Sequence, residues 1–382
     1  MQSANLFDWY AQMRKNNPVY FDKSWGCWNV FTYELSLQVL RNPQTFSSSV
    51  GEQMFSSSVG ENAEGGYLGG SLILMDPPKH TLFRSLVNKS FSARAVQALE
   101  PRIEQIANSL LSNLEGEFDF VESFAVPLPV MVIAELLGVS PEDRALFKDL
   151  TDSIVGTGGS EDFESAQKKL AEYFLNVIEQ RRKQPKRDLI SELLASQVEG
   201  RTLSQAELLG FVILLLIAGN ETTTNLLGNA VYALFENRES LRKLRSNMDE
   251  LLPLTIEEVL RYYSPVQLLP HRFAKVDTTL GGQKISAGKQ IAVWIGSANR
   301  DEAKFAQADK FVIERKPNEH IAFGAGPHMC LGAPLARLEA KVALRAFLTS
   351  FREFEVLQDK AQKIQGGIIY GFKRLPVEVK RA

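Results

Sequence analysis

The sequence predicts a mainly helical chain with a minor sheet component. Three observations carry that reading. Apolar residues recur at helical spacing from Pro77 to about Tyr263, and one more strong helical pattern runs from Ala333 to Phe351. Strand-like pieces gather towards the two ends: PVYF and CWNVFTY in the first 45 residues, and TTLGGQKISAGKQIAVWI and IIYGFKRLPVEV after residue 265.

In chain order, the N-terminal pieces predict a small sheet interrupted by a helix from Glu34 to Arg41. Residues 46–52 read FSSSVGE, and residues 55–61 repeat FSSSVGE. With the glycines that follow, this tandem copy predicts a mobile Ser/Gly-rich loop over about 46–72. Asp76-Pro77-Pro78 is a helix start, because proline suits the first turn. Ser140 before Pro141 is an expected N-cap. GTGGSED, Gly156 to Asp162, separates two amphipathic helices and is a candidate lid. RRKQPKR, Arg181 to Arg187, reads as a solvated helix end. The strongly apolar run Leu208 to Gly219 is 12 residues, short of the roughly 18 or more that span a bilayer. It is expected to be a core helix, opened by Ser204 and running to about Phe235. No linker divides the chain, so one domain over 1–382 is expected.

Composition removes several function classes. Lys plus Arg is 43 and Asp plus Glu is 45, which argues against a nucleic-acid binder. Two cysteines, Cys27 and Cys330, exclude a disulfide framework and a four-cysteine zinc site. The N-terminus carries no apolar signal segment, so a cytoplasmic protein without a membrane anchor is expected.

The most specific stretch runs from Phe323 to Arg337, FGAGPHMCLGAPLAR. Gly324, Gly326 and Gly332 let backbone pass close to something flat and bulky. Cys330 sits just before a helix, where free N–H groups favour a thiolate. These ingredients suit a thiolate ligand to iron. A buried structural cysteine and a cysteine nucleophile paired with His328 are the competing readings; the second lacks a local orienting group. The patterned neighbours favour the iron ligand.

The loop resembles the heme-binding loop of the cytochrome P450 superfamily, Phe-Gly-x-Gly-x-His/Arg-x-Cys-x-Gly. MDPPKHTLFR, AGNETTTN, EEVLRYYSPV, NEHIAFGAGPHMCLGAPLARLEA and GIIYG extend the similarity over nearly the whole chain, towards soluble bacterial members that hydroxylate fatty acids, terpenoids and steroids. The resemblance implies a single-domain, helix-rich triangular prism with small β-sheets near the N-terminus and in the C-terminal tail. It implies heme b (iron protoporphyrin IX) held by Cys330, with Phe323, Gly324 and Gly332 around it. It implies monooxygenation of a lipophilic substrate, with electrons from a separate ferredoxin- or flavodoxin-type donor and its NAD(P)H reductase.

The same resemblance distributes roles. Leu214, Ala218 and Thr222 share one helix face, and small residues at Ala218 and Gly219 leave room for a ligand. Thr222 can bond back to the carbonyl of Ala218. It is the implied hydrogen-bond partner of dioxygen, and Glu221 the implied proton relay. Glu258 and Arg261, joined by Arg315, are the implied structural support of the loop. His80, Arg84, Arg272 and His328 are the implied partners of the heme propionates. The implied substrate pocket is apolar: Ile73, Leu214, Ala218, Val266, Leu268, Leu269, Ile368 and Ile369. Lys79, Lys89, Arg94, Lys341 and Arg345 would offer a basic face to an electron donor. A peroxide-driven peroxygenase and a non-catalytic heme sensor are the alternatives; the Glu221-Thr222 pair speaks for turnover with dioxygen.

Overall fold

The computed structural model describes residues 6–49, 71–143, 162–364 and 367–382, with a few isolated positions between 146 and 153. Most of the tandem copy (from residue 50) and most of the candidate lid (156–161) lie outside the described residues. At the start of the first copy, Phe46–Ser47 is a strand rather than loop, paired with Phe273 and Ala274. Backbone contacts divide the chain into two compact units.

The first unit comprises Met1–Gly51, Asn229–Cys330 and Lys363–Phe372. Its five-stranded sheet runs in the order Val19–Asp22, Cys27–Val30, Gln290–Val293, Leu269–Ala274, Phe46–Ser47. Cys27–Val30 and Gln290–Val293 pair in parallel, and the other neighbours are antiparallel. Val30 and Val293, both fully buried, lie opposite each other in register. Helix Tyr33–Arg41 adds Leu37 and Leu40 to the same core. A second core gathers Tyr10, Cys27, Phe31, Leu268 and Trp294, with Phe31 and Trp294 stacked at 5.7 Å and 8°. Cys27 is thus a core residue, its thiol pushed up by burial.

The second unit comprises Glu52–Gly228, Leu331–Gln362 and Lys373–Ala382. Helices Lys79–Asn88, Glu100–Leu111, Pro127–Leu137, Phe163–Lys183 and Ala333–Ser350 bury their apolar stripes in it. The helical reading from Pro77 onward needs one correction. Gly116–Asp119 is a strand, because the C-terminal strand Pro376–Arg381 lies between it and Phe351–Val356, antiparallel to both. Asp119 fixes that edge, accepting from the backbone of Val121 and Leu375 at 3.0 Å each and from Arg374 at 2.9 Å. The basic run is also only partly a solvated end. Arg181 is buried, pairs with Asp188, and donates to the carbonyl of Gly138 at 2.9 Å.

Helix Gln205–Glu236 has 32 residues. Its start is a capping box: the N–H of Glu207 donates to Ser204 Oγ at 3.2 Å, and the N–H of Ser204 donates back to Glu207 Oε2 at 3.0 Å. By length and composition it would suffice to cross a membrane, yet half of its most apolar stretch is buried within the protein. Leu208, Phe211, Val212 and Leu216 supply that buried face.

Candidate functional site

The cysteine loop closes on itself within the first unit. The N–H of Gly324 donates to the carbonyl of Ile321 at 2.8 Å, that of Met329 to Gly326 at 3.1 Å, and that of Cys330 to Phe323 at 2.8 Å. The last bond locks the loop across eight residues, with one 3₁₀ turn at Gly326–His328 between its ends. Gly324 and Gly326 have φ of +74° and +71°, a left-handed conformation that side chains resist. At Gly326 space is limiting too: a Cβ there would strike the carbonyl oxygen of Leu40 and lie 2.9 Å from the Cα of Arg41. Phe323 and His328 are half-buried, while Cys330 is exposed and forms no disulfide. Gly332 then starts helix Ala333–Ser350, its carbonyl accepting from the N–H of Ala336 at 2.9 Å.

A buried ionic cluster holds the chain that feeds this loop. Glu258 is fully buried and accepts from Arg261 Nε at 2.9 Å and Nη2 at 2.8 Å, a bidentate pair. Glu258 also accepts from Arg315 Nε at 3.1 Å, from Asn318 Nδ2 at 3.1 Å and from the backbone N–H of Val312 at 2.8 Å. Arg261 spends its remaining donors on the carbonyls of Asn299, Ala308 and Lys310. Local spacing does not announce Asn299, Asn318 or His320, because their partners are distant in sequence. Asn299 Oδ1 accepts from the N–H of Ile321 at 2.7 Å, and His320 Nε2 meets Glu257 Oε2 at 3.0 Å. Both tie down residues just before Phe323.

In the second unit, one stripe of helix Gln205–Glu236 is open although the helix interior is apolar. Ala218 is exposed, and Leu214, Glu221 and Thr222 are half-buried, while Leu216, Asn220 and Thr223 beside them are buried. These positions are three and four apart, so the open surface is a single face. Thr222 Oγ1 donates to the carbonyl of Ala218 at 2.7 Å. Burial raises the Glu221 carboxyl above the usual carboxylate range. Gly219 corrects the expectation that it makes room for a ligand. A Cβ there would meet Ile133 Cδ1 at 2.7 Å, so its smallness admits the neighbouring helix.

Of the expected propionate partners, His80 is buried and Arg84 half-buried, four apart on helix Lys79–Asn88. Arg272 is buried on strand Leu269–Ala274, with Nη1 donating to the carbonyl of His271 at 2.7 Å. Among the expected pocket residues, Ile73 and Ile368 are exposed, and Val266, Leu269 and Ile369 are half-buried. Val266 bridges Ile369, and the N–H of Gln267 donates to the carbonyl of Ile368 at 2.7 Å, so the tail turn is held against this stretch. Leu268 is a correction. At 1% exposure it packs among Tyr10, Phe31 and Trp294, in the core rather than on an open surface. Lys79, Lys89 and Arg94 are exposed, but Lys341 is engaged by Glu100 at 2.9 Å.

The chemistry of this donor set fits heme. Among the described residues no cluster of three or more His, Cys, Asp or Glu side chains is placed to hold a metal ion. What the chain offers is one exposed thiol on a rigid loop, the donor that a thiolate-ligated iron requires. His80 and Arg84 in the second unit, and Arg272 and His328 in the first, are side chains of the type that pairs with carboxylates.

Comparison with known proteins agrees. The cytochrome P450 family model matches residues 145–380. Cytochrome P450 109 of Bacillus spizizenii is 42% identical, the alignment covering 98% of this chain and 91% of that protein. Cytochrome P450 119 of Sulfolobus acidocaldarius is 38% identical over 98% of this chain and 99% of its own length. Among solved structures, substrate-free CYP109E1 from Bacillus megaterium superposes with a TM-score of 0.92 at 43% identity, covering 99% of both chains. The testosterone complex of CYP109E1 gives 0.88 at 44% identity, covering 98% of this chain and 99% of that one. The cysteine loop, its buried ionic support and this end-to-end likeness lead to one conclusion: the chain belongs to the cytochrome P450 family, whose members are heme b monooxygenases.

Proposed function

We propose that this P450 hydroxylates an apolar small molecule of the steroid, fatty-acid or terpenoid class. The observation that carries the proposal is the open face of helix Gln205–Glu236, where Leu214 and Ala218 offer apolar surface directly beside Glu221 and Thr222. Relatives support the substrate class, since CYP109E1 has been crystallised with testosterone and with corticosterone. Ile73, Val266, Leu269, Ile368 and Ile369 would complete the apolar lining.

Cys330 would hold the iron, Phe323, Gly324 and Gly332 would flank the cofactor, and His80, Arg84, Arg272 and His328 would meet the propionates. Heme bound there supplies dioxygen activation and transfer of one oxygen atom into a C–H bond. The rest falls to side chains. Thr222 holds its hydroxyl proton on the carbonyl of Ala218 at 2.7 Å, leaving its oxygen to accept a hydrogen bond. Glu221, with its carboxyl raised by burial, keeps a proton to higher pH than a surface Glu would and stores it one residue away. The bond from the N–H of Cys330 to the carbonyl of Phe323 fixes the backbone that presents the thiol.

Electrons would come from a separate ferredoxin- or flavodoxin-type protein with its NAD(P)H reductase, in the cytoplasm. Family motif residues come from both units in sequence, which supports 1–382 acting as one heme domain. The substrate proposal is tested by titrating the ferric protein with testosterone, palmitate and a monoterpene while following the heme spin state. A saturable low-to-high-spin shift with at least one of them is expected. No shift with any apolar compound, alongside a shift with polar ones, would overturn it.

A further inference from the structure

A second feature of the first unit has no part in this chemistry. Arg300 is 7% exposed. Its guanidinium carbon lies 3.6 Å from the ring centroid of Phe7 and 3.6 Å from that of Tyr262, so aromatic rings approach it closely from two residues. Nε donates to the carbonyl of Tyr262 at 2.8 Å. Nη2 is buried and has no hydrogen-bond acceptor, and among the described residues no carboxylate pairs with this guanidinium. Buried charges are ordinarily paired, and Arg does not escape by losing its proton.

Arg300 lines a cleft of about 870 Å³ walled by Tyr263, Phe305 and Tyr370. Lys363 stands at its mouth, Nζ 5.2 Å from the ring centroid of Tyr232 and 5.9 Å from that of Tyr370. The acids around the cleft are exposed at its rim, and two are already engaged: Glu302 by Arg14 at 2.8 Å and Glu236 by the Tyr263 hydroxyl at 2.7 Å. The cleft is therefore flat-walled and cationic in depth, with an acidic rim.

We propose that this cleft is a second small-molecule site, taking an aryl monocarboxylate. One carboxylate oxygen accepts from Arg300 Nη2, and the planar body lies on the aromatic walls. A phosphate dianion would find one buried donor and an acidic rim, so a single negative charge is the better match.

The test is calorimetric titration of the heme-loaded protein with 2-naphthoate and 2-naphthamide, with 4-phenylimidazole already bound at the iron. Naphthoate should bind without moving the Soret band, and naphthamide about tenfold more weakly, the size of one charged hydrogen bond. Arg300→Gln should abolish the preference for the anion. Lys363→Glu, an exposed change, should weaken naphthoate several-fold; if Arg300→Gln does not fold, this variant decides. Equal affinity for acid and amide, undiminished binding in the variants, or no heat at millimolar ligand would overturn the proposal.

Discussion

Replacing Glu258 with Gln removes one negative charge from a site where it holds two guanidinium groups. The carboxylate accepts from Arg261 twice, from Arg315, from Asn318 and from the backbone of Val312, all at 2.8–3.3 Å, and the Glu258 and Arg261 side chains are fully buried. Breaking a buried pair by removing one partner costs about 3–5 kcal/mol, because the other charge stays desolvated. Unfolding entropy of about 2.1 cal/mol/K per residue over 382 residues gives about 0.8 kcal/mol/K. The variant should therefore melt about 4–6 °C lower by circular dichroism. It should also lose heme faster, read from the ratio of Soret to protein absorbance, because Val312, Arg315 and Asn318 precede the cysteine loop. The control is Glu353→Gln, whose partner Lys380 lies 2.7 Å away on the surface. Both side chains are exposed, so water screens the pair and its loss should barely move the melting temperature. A shift below about 1 °C in Glu258→Gln, or equal shifts in the two variants, would refute the view that this cluster holds the loop.

Three further outcomes are expected. Gly326→Ala should destabilise by at least about 2 kcal/mol and lower heme retention, since it adds left-handed strain to a collision with the backbone at Leu40 and Arg41; urea melts and Soret intensity check this. Glu339 is wholly buried, and burial pushes its carboxyl up from 4.5 to about 8. The folded state thus keeps a proton that the unfolded chain releases, so stability falls by about 1.4 kcal/mol per pH unit as pH rises from about 5 to 8, and Glu339→Gln should flatten that slope in melts across this range. Thr222→Ala should uncouple NAD(P)H consumption from product, and Glu221→Gln should remove the alkaline fall in coupling expected as pH rises through the raised Glu221 value; unchanged coupling would remove both residues from the relay.

What could be read from the sequence is what is written locally. The Ser204–Glu207 box, the i→i−4 bond of Thr222 and the glycines around Cys330 each depend on residues within a few positions. What escaped depends on distant partners. Gly116–Asp119 becomes a strand because Pro376–Arg381 lies beside it, some 260 residues on. Arg181 leaves solvent because Gly138 and Asp188 meet it. Leu268 and Gly219 look like pocket residues until Trp294 and Ile133 are placed against them. Arg300 carries no local signal, since its environment is made by Phe7 and Tyr262, both distant from it in sequence.

Cys330, exposed at the end of a loop locked by its own backbone bond to Phe323, is the proposed thiolate ligand of the heme iron. The carbon monoxide spectrum of the reduced protein tests it most directly. The wild type should show the strongly red-shifted Soret band of thiolate ligation, and Cys330→Ser should lose it while still folding. A band at the ordinary position in the wild type, or a red-shifted band that survives in Cys330→Ser, would contradict the account.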